Sequence, residues 1–146
     1  MNGTRIMAYG NIDAGKCEYA DRFPHIVENL RGICQIHRDI DEIVIEKPVM
    51  ISYKDKHGKA QRRDNSALRV AVRAIKGWAK KSKIKVSEVH PSTWKSQLIG
   101  YANADKDMIR QYVEALYPAL RKGLSEHIID AVAIGCYHEK ARRLGV

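Results

Sequence analysis

The chain lacks a cysteine framework, a long apolar run and a leader-like N-terminus, and it is short of acid. Cysteine occurs only at Cys17, Cys34 and Cys136. An odd count without CxxC spacing argues against both a zinc site and a disulfide scaffold, and leaves free, partly buried thiols. No apolar run approaches the roughly 20 residues of a membrane helix. Met1-Asn2-Gly3-Thr4-Arg5 has no signal-peptide core, so the expected compartment is the cytoplasm. Internal repeats, linkers and low-complexity segments are also lacking. The 146 residues therefore read as a single domain, residues 1–146, large enough for one proper core.

What the chain has in excess is positive charge. Lys and Arg number 26 against 17 Asp and Glu, a net charge of +9. Such a surplus favours a polyanionic partner, because neutralising phosphates releases condensed counterions. A generically basic surface is the plainer alternative.

Periodicity supplies the elements. Thr4 to Ile12 alternates partially and predicts a strand, followed by a turn at Asp13-Ala14-Gly15-Lys16. Phe23, Ile26, Val27, Leu30, Ile33 and Cys34 recur at helical spacing, predicting a helix over Ala20 to His37, with Asp21 as N-cap and Pro24 in the first turn. Glu42 to Glu46 is β-branched and reads as a fully buried strand ended by Pro48. Lys54 to Asn65 is polar and reads as a mobile basic stretch. Ser66 opens a helix with the apolar stripe Leu68, Ala71, Val72, Ile75 and Ala79, and with a basic face of Arg69, Arg73, Lys76, Lys80 and Lys81. Gly77 weakens it unless a close approach needs the space. Ile84 to Val89 alternates as a strand. Trp94 begins a short turn or helix, Asp105 caps a further helix, and Ser125 caps the last one. A helix leading into a buried strand predicts an α/β fold with a mainly parallel sheet.

Chemistry concentrates where charge interrupts apolar pattern. Glu46 ends Ile43-Val44-Ile45-Glu46, and His127 and Asp130 punctuate His127-Ile128-Ile129-Asp130-Ala131-Val132-Ala133. Burying an unpaired carboxylate is very costly, so two such residues suggest a shared cation, most simply Mg²⁺. His127 and Asp130, three apart, share one helix face. A satisfied histidine and a carboxylate favoured by the helix dipole would give the same pattern without a site. Lys95 and Lys106 are candidates for holding phosphate, and Tyr53 or Trp94 for stacking on a base. Trp94 serves the core equally well.

Taken in order, Val44-Ile45-Glu46-Lys47-Pro48, Asn65 entering a helix, Pro91-Ser92-Thr93-Trp94-Lys95, Ala104-Asp105-Lys106 and the His127–Gly135 segment resemble the RuvC-type Holliday junction resolvases. These are phage-encoded and bacterial nucleases of the RNase H-like superfamily, with roles in DNA recombination and repair. The resemblance implies a mixed central sheet flanked by helices, a homodimer, and Mg²⁺- or Mn²⁺-dependent hydrolysis of branched DNA. It implies two ions, one activating the attacking water and one stabilising the leaving oxygen. Glu46 and Asp130 would bind metal, with His127 as a further ligand or a shaper of the attacking water. Lys47, Lys54, Lys56, Lys59, Arg62, Arg63, Lys95 and Lys106 would contact DNA. The helix from Ser66 is a candidate for the dimer interface.

The departure is at the N-terminus, where the family has a strand ending in an Asp-Pro-Gly-like turn whose aspartate bridges both metals. Asp13 in Ile12-Asp13-Ala14-Gly15 supplies that aspartate under one alignment, and then counts among the catalytic and metal residues. Under the other, favoured by spacing, Thr4–Ile12 is the third strand and the N-terminal strand or strands with the first aspartate are missing. Three functions stay open: a junction-cutting endonuclease, an impaired relative that binds branched DNA without cutting, and an unrelated basic α/β domain for RNA or protein.

Overall fold

The computed structural model describes residues 4–15, 17–49, 51–63 and 66–145, with the side chains of Tyr19, Ile51, Ser52, Tyr53, Arg62 and Arg63 outside the description. It falls into two compact units, residues 12–88 and residues 1–11 with 89–146. The first holds α1 (Tyr19–Ile36), β1 (Glu42–Glu46), β2 (Ile51–Lys54), β3 (Ala60–Arg63) and α2 (Ser66–Lys81), and leads into β4 (Lys85–Val89). The second holds α3 (Pro91–Leu98), α4 (Lys106–Leu116) and α5 (Glu126–Leu144).

In the first unit β1 pairs with β4. The Lys85 amide donates to the Asp41 carbonyl at 3.1 Å, and the Ser87 hydroxyl donates to the Glu42 carboxylate. Residue numbers climb together on the two strands, so the pair is parallel. Parallel strands need a long crossover, and here α2 lies within it and packs on α1. Of the predicted stripe on α2, Ala71, Val72 and Ile75 are half-buried and Ala79 is fully buried, whereas Leu68 is 54% exposed.

Several expectations are corrected. Thr4–Ile12 forms no strand: alternation shows which residues fit a pleat, but a strand exists only where a neighbour accepts its backbone hydrogen bonds. The α1 N-cap is Glu18, with no side-chain capping bond, and Asp21 falls inside the first turn. Pro24 sits within α1, where it removes one backbone donor of the helix. β1 is half-buried rather than fully buried, and Glu46 is exposed.

The basic stretch expected to be mobile is an antiparallel hairpin, with Tyr53 opposite Gln61 and Lys54 opposite Ala60. Its turn is built by Asp55. The Asp55 carboxylate accepts from the His57 and Lys59 amides, both at 2.9 Å, while the Gly58 amide donates to the Asp55 carbonyl at 2.9 Å. Gly58 takes φ +75, the left-handed geometry that closes a three-residue hairpin loop. The Lys59 amide first, then those of His57 and the Gln61 side chain, hold the Asp55 carboxyl below its ordinary range.

The second unit carries nearly all of the fully buried apolar side chains. Trp94, Val113 and Ala133 are 0% exposed, and Ile109, Ile129 and Cys136 are almost as deep. Trp94 is thus core, which removes it as a stacking platform. α3 and α4 both pack on α5. Asp105 caps α4 by accepting from the Met108 amide at 2.9 Å, and Ser125 caps α5 through the Ile128 amide at 3.4 Å, both as predicted. Tyr117 ties the N-terminal segment to this core. Its hydroxyl donates to the Thr4 carbonyl at 2.9 Å and stands 3.1 Å from Cys136 Sγ. A phenol has one proton, so the thiol is the donor to the tyrosine oxygen.

Two measurements follow from this packing. A Cβ at Gly77 would meet nothing within 4 Å among the described residues, so no close approach offsets the glycine. Gly77→Ala should raise stability to urea by about 1 kcal/mol; a loss instead would mean that α2 has a close neighbour there. Burial pushes the Tyr117 phenol well above its ordinary value of 10.0 and raises the Cys136 thiol from 9.0. In the unfolded chain both groups ionise at lower pH. Their stabilisation is complete below about pH 9 and declines as pH rises through the alkaline range. Tyr117→Phe should make that decline shallower in unfolding measurements between about pH 9 and 11, and an unchanged slope would contradict it.

Candidate functional site

α5 is buried around most of its first three turns. Ile128, Ile129, Ala133, Ile134 and Cys136 are all fully buried, because α3 and α4 cover it. At 100° per residue these five span about 240° of the helix. His127 is exposed in the remaining arc, and Asp130, three residues on and about 60° round the axis, is half-buried at the edge of the covered span.

Lys106, the first residue of α4, completes this corner. Its ammonium forms a salt bridge with Glu126, the first residue of α5. The hydrogen bond from Glu126, then its charge, and more weakly the charge of Asp130 raise the Lys106 pKa above 10.5. Lys106 thus sits in the field of two carboxylates. Glu126 went unforeseen, because nothing local links it to a lysine twenty positions earlier.

In the other unit Glu46 is exposed at the end of β1, and Lys47 beside it is exposed. Asp13 is exposed in its turn, where its carboxylate accepts from the Gly15 amide at 2.9 Å. Lys16, at the end of that turn, and Asn65 lie outside the described residues. Lys54, Lys56 and Lys59 are exposed on the hairpin. Arg62 and Arg63 lie on β3, with side chains outside the description, as is that of Tyr53. Lys95 is half-buried, with its ammonium 5.7 Å from the centre of the Trp94 ring, within reach of a cation–π contact. Among the described residues of either unit, no three His, Cys, Asp or Glu side chains gather as a metal centre. No helix among them is long and apolar enough to cross a membrane.

This fold is RNase H-like. It matches the Thermus thermophilus RuvC structure with a TM-score of 0.70 at 18% identity, over 90% of this chain and 74% of that one. It also matches T. thermophilus RuvC in complex with Holliday junction substrate, at 0.72 and 19%, over 92% and 76%. The family model described as crossover junction endodeoxyribonuclease RuvC matches residues 1–138. A crossover junction endodeoxyribonuclease RuvC from Ruminiclostridium cellulolyticum is 30% identical, over 99% of this chain and 82% of that protein. The chain belongs to the RuvC family of crossover junction endodeoxyribonucleases. Enzymes of this family are nucleases that depend on a divalent metal. Membership sets aside the unrelated basic domain and favours a cutting enzyme over a binder alone.

The Lys106–Glu126 contact is directly testable. Glu126→Gln removes the charge behind the Lys106 shift and leaves at most a weaker, neutral hydrogen-bond acceptor. The alkaline titration of the Lys106 ammonium, followed by side-chain NMR, should move to lower pH in that variant. No movement would mean that the pair does not persist in solution.

Proposed function

We propose that the chain hydrolyses phosphodiesters at Holliday junctions or other branched DNA, with Glu46 and Asp130 as metal-binding carboxylates and His127 beside them. The reading treats residues 1–146 as one nuclease domain that assembles as a homodimer in the cytoplasm of a bacterium or a phage-infected host. The observation that carries it is the half-buried Asp130 on α5, with His127 three residues before it and Lys106 in its field. A half-buried carboxylate beside an imidazole is a donor set that a hard divalent cation can use.

The donor set fits a hard divalent cation, since carboxylate oxygens are what Mg²⁺ or Mn²⁺ prefers. When bound, the pair of ions implied by the family's chemistry would supply Lewis acidity toward the scissile phosphate and the attacking water. The protein's own residues do the positioning. The packing of α5 fixes the backbone position from which Asp130 projects. His127 offers an imidazole that can accept or donate a proton. Lys106, and Lys95 over Trp94, offer ammonium groups to backbone phosphates, with the hairpin lysines and Lys47 as further contacts. Asp13 enters the set as the third carboxylate, although its oxygen also closes its own turn.

A four-way-junction assay with Mg²⁺ tests the assignment. Glu46→Ala and Asp130→Ala should each lower cleavage by at least about 100-fold, since even outer partners of a metal cost 10–100-fold, while junction binding persists. Asp13→Ala should do the same if it is the third ligand, and full activity in that variant removes it from the site. Binding without cleavage by the wild type would sink the nuclease reading.

A further inference from the structure

The exposed side of α2 carries four cations in one line. Arg69, Arg73, Lys76 and Lys80 follow one another at steps of four, three and four residues, and all are exposed. At 100° per residue they fall within about 60° of arc, and at 1.5 Å per residue they extend over about 16 Å. No acidic residue occurs anywhere from Ser66 to Lys85, where seven lysines and arginines stand (Arg69, Arg73, Lys76, Lys80, Lys81, Lys83 and Lys85).

A merely solvated helix face does not look like this. Like charges at i,i+4 destabilise a helix, and acids interleaved with bases stabilise it. The other long helices follow that rule: Glu28 pairs with Arg31 in α1, Arg110 with Glu114 in α4, and Glu139 with Arg142 in α5. α2 instead stacks like charge on like charge. The helix dipole accounts for Lys80 and Lys81 in the last turn but opposes Arg69 in the first. Along this line Lys76 meets Glu88 on β4 at 2.8 Å, which fixes the middle of the ridge to the sheet.

We propose that this ridge is a second phosphate-binding surface that tracks one strand of duplex DNA, separate from the lysines of the hairpin, α3 and α4. The proposal rests on the branched-DNA reading above. Phosphates of one strand recur every 3.4 Å along the duplex axis while the strand winds about it, so about 16 Å of straight ridge faces the few of them that lie on one side. A second copy of this chain is a poor occupant, because a two-fold contact would set the ridge against itself. On a branched substrate such a ridge would hold an arm of the junction, and it reads no sequence, since phosphate contacts position without specifying.

The test is the salt dependence of junction binding by the full chain in EDTA, where nothing is cut. Arg73→Ala/Lys80→Ala should lower the slope of log Kobs against log salt by about 1.8, which is 0.9 for each lost phosphate contact. Lys81→Ala/Lys83→Ala removes equal charge off the ridge and should leave the slope near that of the wild type. An unchanged slope in the ridge variant overturns the proposal while the wild type still binds the junction. Equal drops in both variants also overturn it, because net charge alone would then suffice. A ridge variant that changes its oligomeric state by sedimentation assigns the face to an interface between copies and overturns it too. A wild type with no affinity for junction or duplex at low salt defeats the branched-DNA reading itself, and the ridge with it.

Discussion

The enclosure of α5 is the constraint on which the candidate site depends. A helix covered by two others must bury most of its circumference, and Ile128, Ile129, Ala133, Ile134 and Cys136 meet that demand. Their positions fix the rotation of the helix about its axis. Once that rotation is set, His127 faces the open arc and Asp130 stands half-buried at the edge of the covered span. The caps fix the axial position in the same way: Ser125 starts α5 and Asp105 starts α4. Both helices therefore begin with a charged residue at the same corner, and Lys106 meets Glu126 there. Core packing, rather than any contact among the site residues, sets where the charges stand.

Charge is distributed with a similar logic. Acid is scarce, and much of it is committed locally. Asp55 builds the hairpin turn, Asp105 caps α4, Glu42 meets Ser87 and Lys85 across the β1–β4 pair, and Glu126 holds Lys106. Much of the surplus base lies on the hairpin and on α2, away from those commitments. The exposed salt bridges contribute little to stability in any case. Their value is in orientation, and the surplus of base over acid supplies the long-range field that draws a polyanion.

The elements that were legible from sequence are those with local signatures. α2, α4 and α5 have caps or periodic stripes, and β1 and β4 carry β-branched runs, so their bounds were readable within a residue or two. The hairpin was hidden because β3 is polar and β2 is only four residues long, so the alternation of Ile51 and Tyr53 is too brief to announce a strand. The one available signal was Asp55-Lys56-His57-Gly58, an acid that can accept from two amides followed by a glycine at the left-handed position. Thr4–Ile12 failed in the opposite direction, with a strand-like pattern but no ladder. Pairing is a tertiary fact, and the segment is held by the hydroxyl of Tyr117 instead. The resolvase family was legible because its motifs are spread in order along the chain, so no single one had to be decisive.

The physical argument for a bound cation now divides between the two acids that prompted it. Charge placed among hydrophobes demands compensation only if it is taken out of water. Asp130 meets that condition in part, being half-buried on an enclosed helix with a lysine close by. Glu46 does not, since it is exposed at the end of β1, and nothing about its hydration requires a partner. Its assignment therefore rests on its place in the family's motif order. This asymmetry bears on how the two would behave without metal. Removing the carboxylate of Asp130 relieves a desolvated charge and also strips Lys106 of part of its acidic surroundings, so Asp130→Ala alters the corner electrostatically even in EDTA. Glu46 has no part in the Lys106 shift, so Glu46→Ala should leave that titration where it is.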